Sequence, residues 1–168
     1  ADTLTGPPMT GIILASASPF RNALLENAGV PVTAIAADID ERAVEAAVDR
    51  SGVTPGELAQ ILAEAKAVEV STRHPDAWVI GSDQVLSLDG EVLHKAADME
   101  EARRRLLKLS GRTHLLETGV VLARGGAVAW RHLSTAAMTV RALTPEFVGR
   151  YLSLAGAGVL ASVGAYQI

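Results

Sequence analysis

Two turn signals constrain this chain more than anything else in it. Asp89-Gly90 stands between the apolar runs Val85–Leu88 and Val92-Leu93, and Arg124-Gly125-Gly126 stands between Leu115–Ala123 and Ala127–Val140. Short glycine-containing breaks between β-type runs close antiparallel hairpins. A doubly wound parallel sheet joins its strands through helices, so two hairpins exclude it. Helical segments surround them. Ser18-Pro19 opens a helix with Ala23, Leu24 and Leu25 on its apolar face, ended by Gly29. Thr54-Pro55-Gly56-Glu57 has the capping-box pattern, and Leu58, Ile61, Leu62, Ala65 and Val68 follow it at helical spacing. Asp98 caps a helix over Met99–Leu109, and Thr144-Pro145-Glu146 starts another that runs to about Leu154. With strands at Gly11–Ser16, Val30–Ala37 and Trp78–Ile80 the order reads β-α-β-α-α-β-β-α-β-β-α-β. That predicts a mixed α/β (α+β) fold: a central twisted mixed sheet with helices on both sides. A cleft is expected between two lobes, the second beginning near Asp98.

The 168 residues suffice to bury a core without disulfides, and the chain has no cysteine. A thiolate metal site and a cysteine nucleophile are thereby excluded. The net charge of −4 argues against a protein that tracks a nucleic-acid backbone, while leaving room for a small anion held by local cations. No apolar run reaches the roughly 20 residues of a membrane span. Ala1–Thr10, with Pro7 and Pro8, reads as a loose leader without a secretory signal, so a cytoplasmic protein is expected. His74, His94, His114 and His132 lack zinc spacing, and neither a P-loop, GxSxG nor GxGxxG is present. Of the 15 basic residues only Lys66, Lys95 and Lys108 are lysine, which marks them for a compact point charge where arginine serves elsewhere.

Three places can carry chemistry. In Ser16-Ala17-Ser18-Pro19-Phe20-Arg21 a strand passes through small hydroxyl residues into a helix start. Free backbone N–H groups, two hydroxyls and a guanidinium there form a phosphate cradle; the alternative is a capped helix with a surface arginine. Asp83, directly after Gly81-Ser82 and between two β-runs, is costly to leave without a role. It could hold a divalent cation or orient a water, or it could be a turn or bulge residue bonded to backbone. Lys95 follows the first hairpin, where it could neutralise phosphate oxygens or lie exposed in a loop. Of the acidic run Asp38, Asp40 and Glu41, the readings are metal ligands or a solvated helix start. Lys66 sits on the edge of its helix's apolar face, able to reach a cleft or to snorkel to the surface. Together these features suit a phosphate-ester or anhydride hydrolase.

The order of segments IILASASPFRNALLENAGV, AADIDE, LAQILAEAKA, VIGSDQVLSLDGEVLHKAADMEEARRRLLKLSGRTH, TGVVL and SVGAYQI resembles the Maf family, the septum-formation inhibitor-like nucleoside triphosphate pyrophosphatases, from Gly11 to Ile168. The resemblance implies a single Maf-like domain over 11–168 that hydrolyses the α–β phosphoanhydride of a (d)NTP to a monophosphate and pyrophosphate. It implies Mg²⁺ or Mn²⁺ as cofactor, a nucleoside triphosphate and a second copy in a homodimer as partners, and neither nucleic-acid polymer nor membrane. Residue by residue it places the Ser-x-x-Arg motif on Ser18 and Arg21, the acidic position on Glu41, the helix lysine on Lys66, the catalytic aspartate on Asp83 and the post-hairpin lysine on Lys95. Arg21, Lys66, Asp83 and Lys95 are then the catalytic set. Glu41 and Asp83 hold the metal, and Ser16 and Ser18 seat the triphosphate. Phe20 and Gln84 stand where the resembling branch that acts on 7-methylguanosine triphosphate has an aromatic residue and a glutamine, which adds both to the substrate-binding set. The chain departs from the family at Ala96, where proline is usual after the lysine, and at its end, where a further segment is expected after GAYQI.

Overall fold

The computed structural model describes residues 11–166. The leader expected over Ala1–Thr10 lies outside them, as do the last two residues. Six strands form one mixed sheet in the order β2-β1-β3-β5-β6, with β4 on β3. They are β1 Ile12–Leu14, β2 Val32–Ala34, β3 Trp78–Leu88, β4 Glu91–Leu93, β5 Thr113–Arg124 and β6 Ala127–Thr139. The helices are α1 Pro19–Asn27, α2 Glu41–Asp49, α3 Pro55–Arg73, α4 Met99–Leu109 and α5 Pro145–Ala155.

The described residues divide into two compact units, one of 11–52, 60–83 and 119–133, the other of 53–59, 84–118 and 134–166. The division does not begin near Asp98: it falls within α3, β3, β5 and β6, because these long elements take part in both units.

In the first unit β1 pairs in parallel with β2 and with the start of β3, so that Leu14 lies opposite Ala34 on one side and Ile80 on the other. Ile13, Ala15, Val70 and Val79 form one buried cluster, and Ala63, Ala67, Val121 and Ala123 another. The β5–β6 turn is closed by Gly125 and Gly126, both at positive φ (57° and 77°), the pair of left-handed residues that a tight hairpin requires. The apolar face expected for α1 is not buried. Leu24 is 69% exposed, since the three-residue β2 offers the helix little sheet to lie against.

In the second unit β3 and β4 form the other hairpin through Asp89 and Gly90, again both at positive φ, with Leu86 opposite Leu93. Leu86, Leu88, Leu93 and Leu109 pack together; Ala102 and Leu106 of α4 pack with Val148 and Leu152 of α5. Asp98 Oδ1 accepts the Glu101 N–H at 2.8 Å while Glu101 accepts the Ala97 N–H at 2.9 Å, a reciprocal cap. The final strand of the expected order is absent among the described residues. Gly156–Ala161 is instead a 3₁₀ helix, for a Gly- and Ala-rich stretch has few β-branched side chains to favour a pleat. No helix of the described residues is long and apolar enough to cross a membrane.

Candidate active site

The residues from which a phosphate cradle was expected meet one another at the start of α1. β1 ends at Leu14, and Ser16, 7% exposed, turns its Oγ back to accept the Ser18 N–H at 3.0 Å and the Arg21 Nη1 at 3.3 Å. Ser18 is the N-cap, its Oγ 3.5 Å from the Arg21 N–H, and Pro19 occupies the first turn, where a missing N–H costs nothing. Arg21 is therefore tied to the loop from which the helix springs rather than left as a surface decoration. Phe20 beside it is 45% exposed.

Asp83 is not a turn residue. It lies in the middle of the eleven-residue β3 and is 8% exposed. Its Oδ1 accepts from Lys66 Nζ at 2.7 Å, and the same ammonium stands 2.9 Å from Glu41 Oε1. Lys66 is itself 8% exposed, so the snorkelling alternative is excluded. The pattern on α3 differs accordingly from the face read by hydropathy. The buried stripe is Leu58, Ala59, Leu62, Ala63, Lys66, Ala67 and Val70, while Ile61, Ala65 and Val68 are only half-buried. Small residues turn inward so that the helix can lie close on β3 at Gly81, two residues before Asp83 and on the same face of the strand. Gly81 is the residue of this contact that motif reading did not single out, and its signal was a glycine inside an apolar strand.

Glu41 is the first residue of α2, and its side chain is 54% exposed. Of the other two acids of its run, Asp40 caps α2 by accepting the Ala43 N–H at 3.0 Å, while Asp38 is held through its backbone, whose N–H donates to Glu69 at 2.9 Å. Burial pushes the Asp83 carboxyl above its ordinary range; Lys66 opposes this most, Glu41 adds to it, and the Arg21 charge pulls it back slightly. A strand acid, a buried ammonium and the cradle guanidinium thus share one field.

Lys95 and Gln84 belong to the second unit. Lys95 is exposed, two residues beyond β4. Gln84 is exposed and donates from Nε2 to Thr118 Oγ1 at 3.0 Å.

Among the described residues no three Asp, Glu or His side chains converge as a cage for a metal. Glu41 and Asp83 do converge, since one ammonium touches both. Two carboxylates suit a hard cation such as Mg²⁺ or Mn²⁺ that draws its remaining ligands from water and substrate phosphates. The residues present fit that mode, and not a resident all-protein site.

The model of the family described as "Maf-like protein" matches residues 11–168. A protein of Mesorhizobium japonicum named 7-methyl-GTP pyrophosphatase is 62% identical over 157 residues, 94% of this chain and 79% of that protein. One of Brucella abortus with the same name is 58% identical over the same shares. A protein of Rhodospirillum rubrum named nucleoside triphosphate pyrophosphatase is 46% identical, over 94% of this chain and 78% of that protein. With a match that runs through the cradle, the buried acid and its lysine, this chain belongs to the Maf family.

Proposed function

We propose that this protein hydrolyses the α–β phosphoanhydride of nucleoside triphosphates to a nucleoside monophosphate and pyrophosphate, with 7-methyl-GTP as the favoured substrate. The observation that carries the reading is Asp83, a carboxylate held in the sheet by a buried lysine and sharing its field with the arginine of a helix-start cradle. The relatives' names support the reaction and the methylated base.

The triphosphate sits against the α1 N-terminus, where the hydroxyls of Ser16 and Ser18 meet its oxygens and Arg21 neutralises them. Lys66 fixes Oδ1 of Asp83 and favours its ionised form, and the carboxylate takes a proton from water. The water oxygen bonds to phosphorus as the bond to the bridging oxygen breaks, and pyrophosphate leaves with that electron pair. Glu41 and Asp83 would hold a Mg²⁺ or Mn²⁺ ion, which would supply neutralisation of the phosphate charge. The exposed ring of Phe20, in the first turn beside the cradle, supplies a face for the cationic methylated purine. Lys95 is assigned to phosphate charge and Gln84 to the base on the motif match alone.

The competing role, a nucleotide-binding partner that inhibits septum formation without turnover, has no use for Asp83. A binding module needs cations around the phosphates, whereas a buried acid among them weakens affinity and costs stability. Product analysis separates the readings. The protein, with Mg²⁺ or Mn²⁺, is offered canonical and 7-methylated triphosphates, and pyrophosphate is the expected product, fastest from 7-methyl-GTP. Orthophosphate instead identifies a phosphatase, and binding without any product identifies the interaction protein.

A further inference from the structure

We propose that Gly81 is a positioning residue for the reaction: its missing side chain sets how closely α3 lies on β3, and so holds Lys66 against Asp83. A Cβ at position 81 would stand 2.2 Å from the Ala63 carbonyl oxygen, 2.7 Å from Ala67 Cβ and 2.8 Å from the Ala67 backbone N. Two of those atoms are helix backbone, so no rotamer relieves the overlap, and the helix itself must retreat. Real contacts of this kind begin near 3.0 Å, and reaching that range takes about 1 Å of movement. Lys66 directly precedes Ala67 on the helix, and Asp83 lies two residues beyond Gly81 on the same face of the strand. The displacement therefore acts on the 2.7 Å contact between Lys66 Nζ and Asp83 Oδ1, which has little slack, because the lysine stem is buried. Ala63 and Ala67, both fully buried, are the matching half of the device. A larger residue at either position would hold the helix off as surely as one at 81.

This inference rests on the proposed role of Asp83 for its catalytic meaning, but its first readout does not depend on turnover. Crystal structures of the wild type and of Gly81→Ala compare the separation of Lys66 Nζ and Asp83 Oδ1, 2.7 Å in the native chain, and the substitution is expected to lengthen it beyond hydrogen-bond reach. In active protein Gly81→Ala is expected to lower kcat by up to about 10²-fold with KM unchanged. In the Lys66→Met background the same substitution leaves kcat unmoved, because the group through which it acts is gone. Should Gly81→Ala fail to fold, Ala67→Val crowds the same contact from the helix side and is expected to act likewise. An unmoved contact in a folded variant, or an equal loss of kcat with and without Lys66, overturns the proposal. Failure to release pyrophosphate from any triphosphate overturns the catalytic reading and leaves the measured separation to judge this one.

Discussion

Lys66→Met tests the electrostatic design of the site at its most sensitive point. Methionine keeps most of the stem's volume and removes the ammonium, so the loss is chiefly one of charge. Removing one partner of a buried ion pair costs about 3–5 kcal/mol, since the other charge is left behind in protein. Two carboxylates lose their partner here, but they differ. The Glu41 side chain is 54% exposed and re-solvates, whereas Asp83 is 8% exposed and cannot. The Asp83 arm alone then sets the size, and the lower figure, about 3 kcal/mol, applies at neutral pH. The pH dependence follows from direction. Burial already lifts Asp83, and Lys66 is the strongest influence pulling it back, so its removal lifts Asp83 further. A native state that binds this proton more tightly than the unfolded chain is favoured in acid, and the advantage is lost as pH rises through the folded value. The variant's deficit should be small in acidic buffer and full at neutrality. Urea unfolding of both proteins at the two pH values measures it. A deficit under about 1 kcal/mol at neutral pH, the worth of a surface pair, or one equal at both, refutes the reasoning.

Other consequences are testable in the same protein. The acid limb of kcat/KM should lie above the roughly 3.9 of a free aspartate, and a limb at or below that value removes Asp83 as the titrating base. Arg21→Lys should raise KM for a triphosphate by about tenfold, because an ammonium cannot hold Ser16 and two phosphate oxygens as a planar fork does; an unchanged KM takes Arg21 out of the cradle. Thr54→Ala breaks a reciprocal cap in which Glu57 N–H donates to Thr54 Oγ1 at 3.2 Å and Thr54 N–H to Glu57 at 2.7 Å. It should lower stability by about 1 kcal/mol with kcat intact, as denaturation and steady-state kinetics will show.

What could be read in advance was local. The hairpins at Asp89-Gly90 and Gly125-Gly126 and the caps at Ser18, Thr54, Asp98 and Thr144 depend on residues within a turn of one another, and each formed as its sequence required. Asp83 was legible too, because an acid between apolar β-runs has to be explained by a partner. That partner was harder. Hydropathy ranks large residues as the inward face, and on α3 this favoured Ile61 and Val68 over Ala59, Ala63 and Ala67. The actual face is governed by a contact far along the chain, the close approach at Gly81, which rewards small residues and draws Lys66 inward with them. The exposed flank of α1 and the 3₁₀ helix after Gly156 escaped for a related reason. Whether an apolar run is covered, or a Gly-Ala stretch pleats, is decided by neighbours remote in sequence.

The central claim is that the carboxylate at position 83 moves the proton in anhydride cleavage. Single-turnover release of pyrophosphate from 7-methyl-GTP by the wild type and by Asp83→Asn, the variant first shown folded by circular dichroism, addresses it most directly. The account predicts a folded variant that still binds nucleotide and is slowed by about 10²–10⁴-fold, the usual contribution of a general base. A folded variant that releases pyrophosphate at close to the wild-type rate contradicts it.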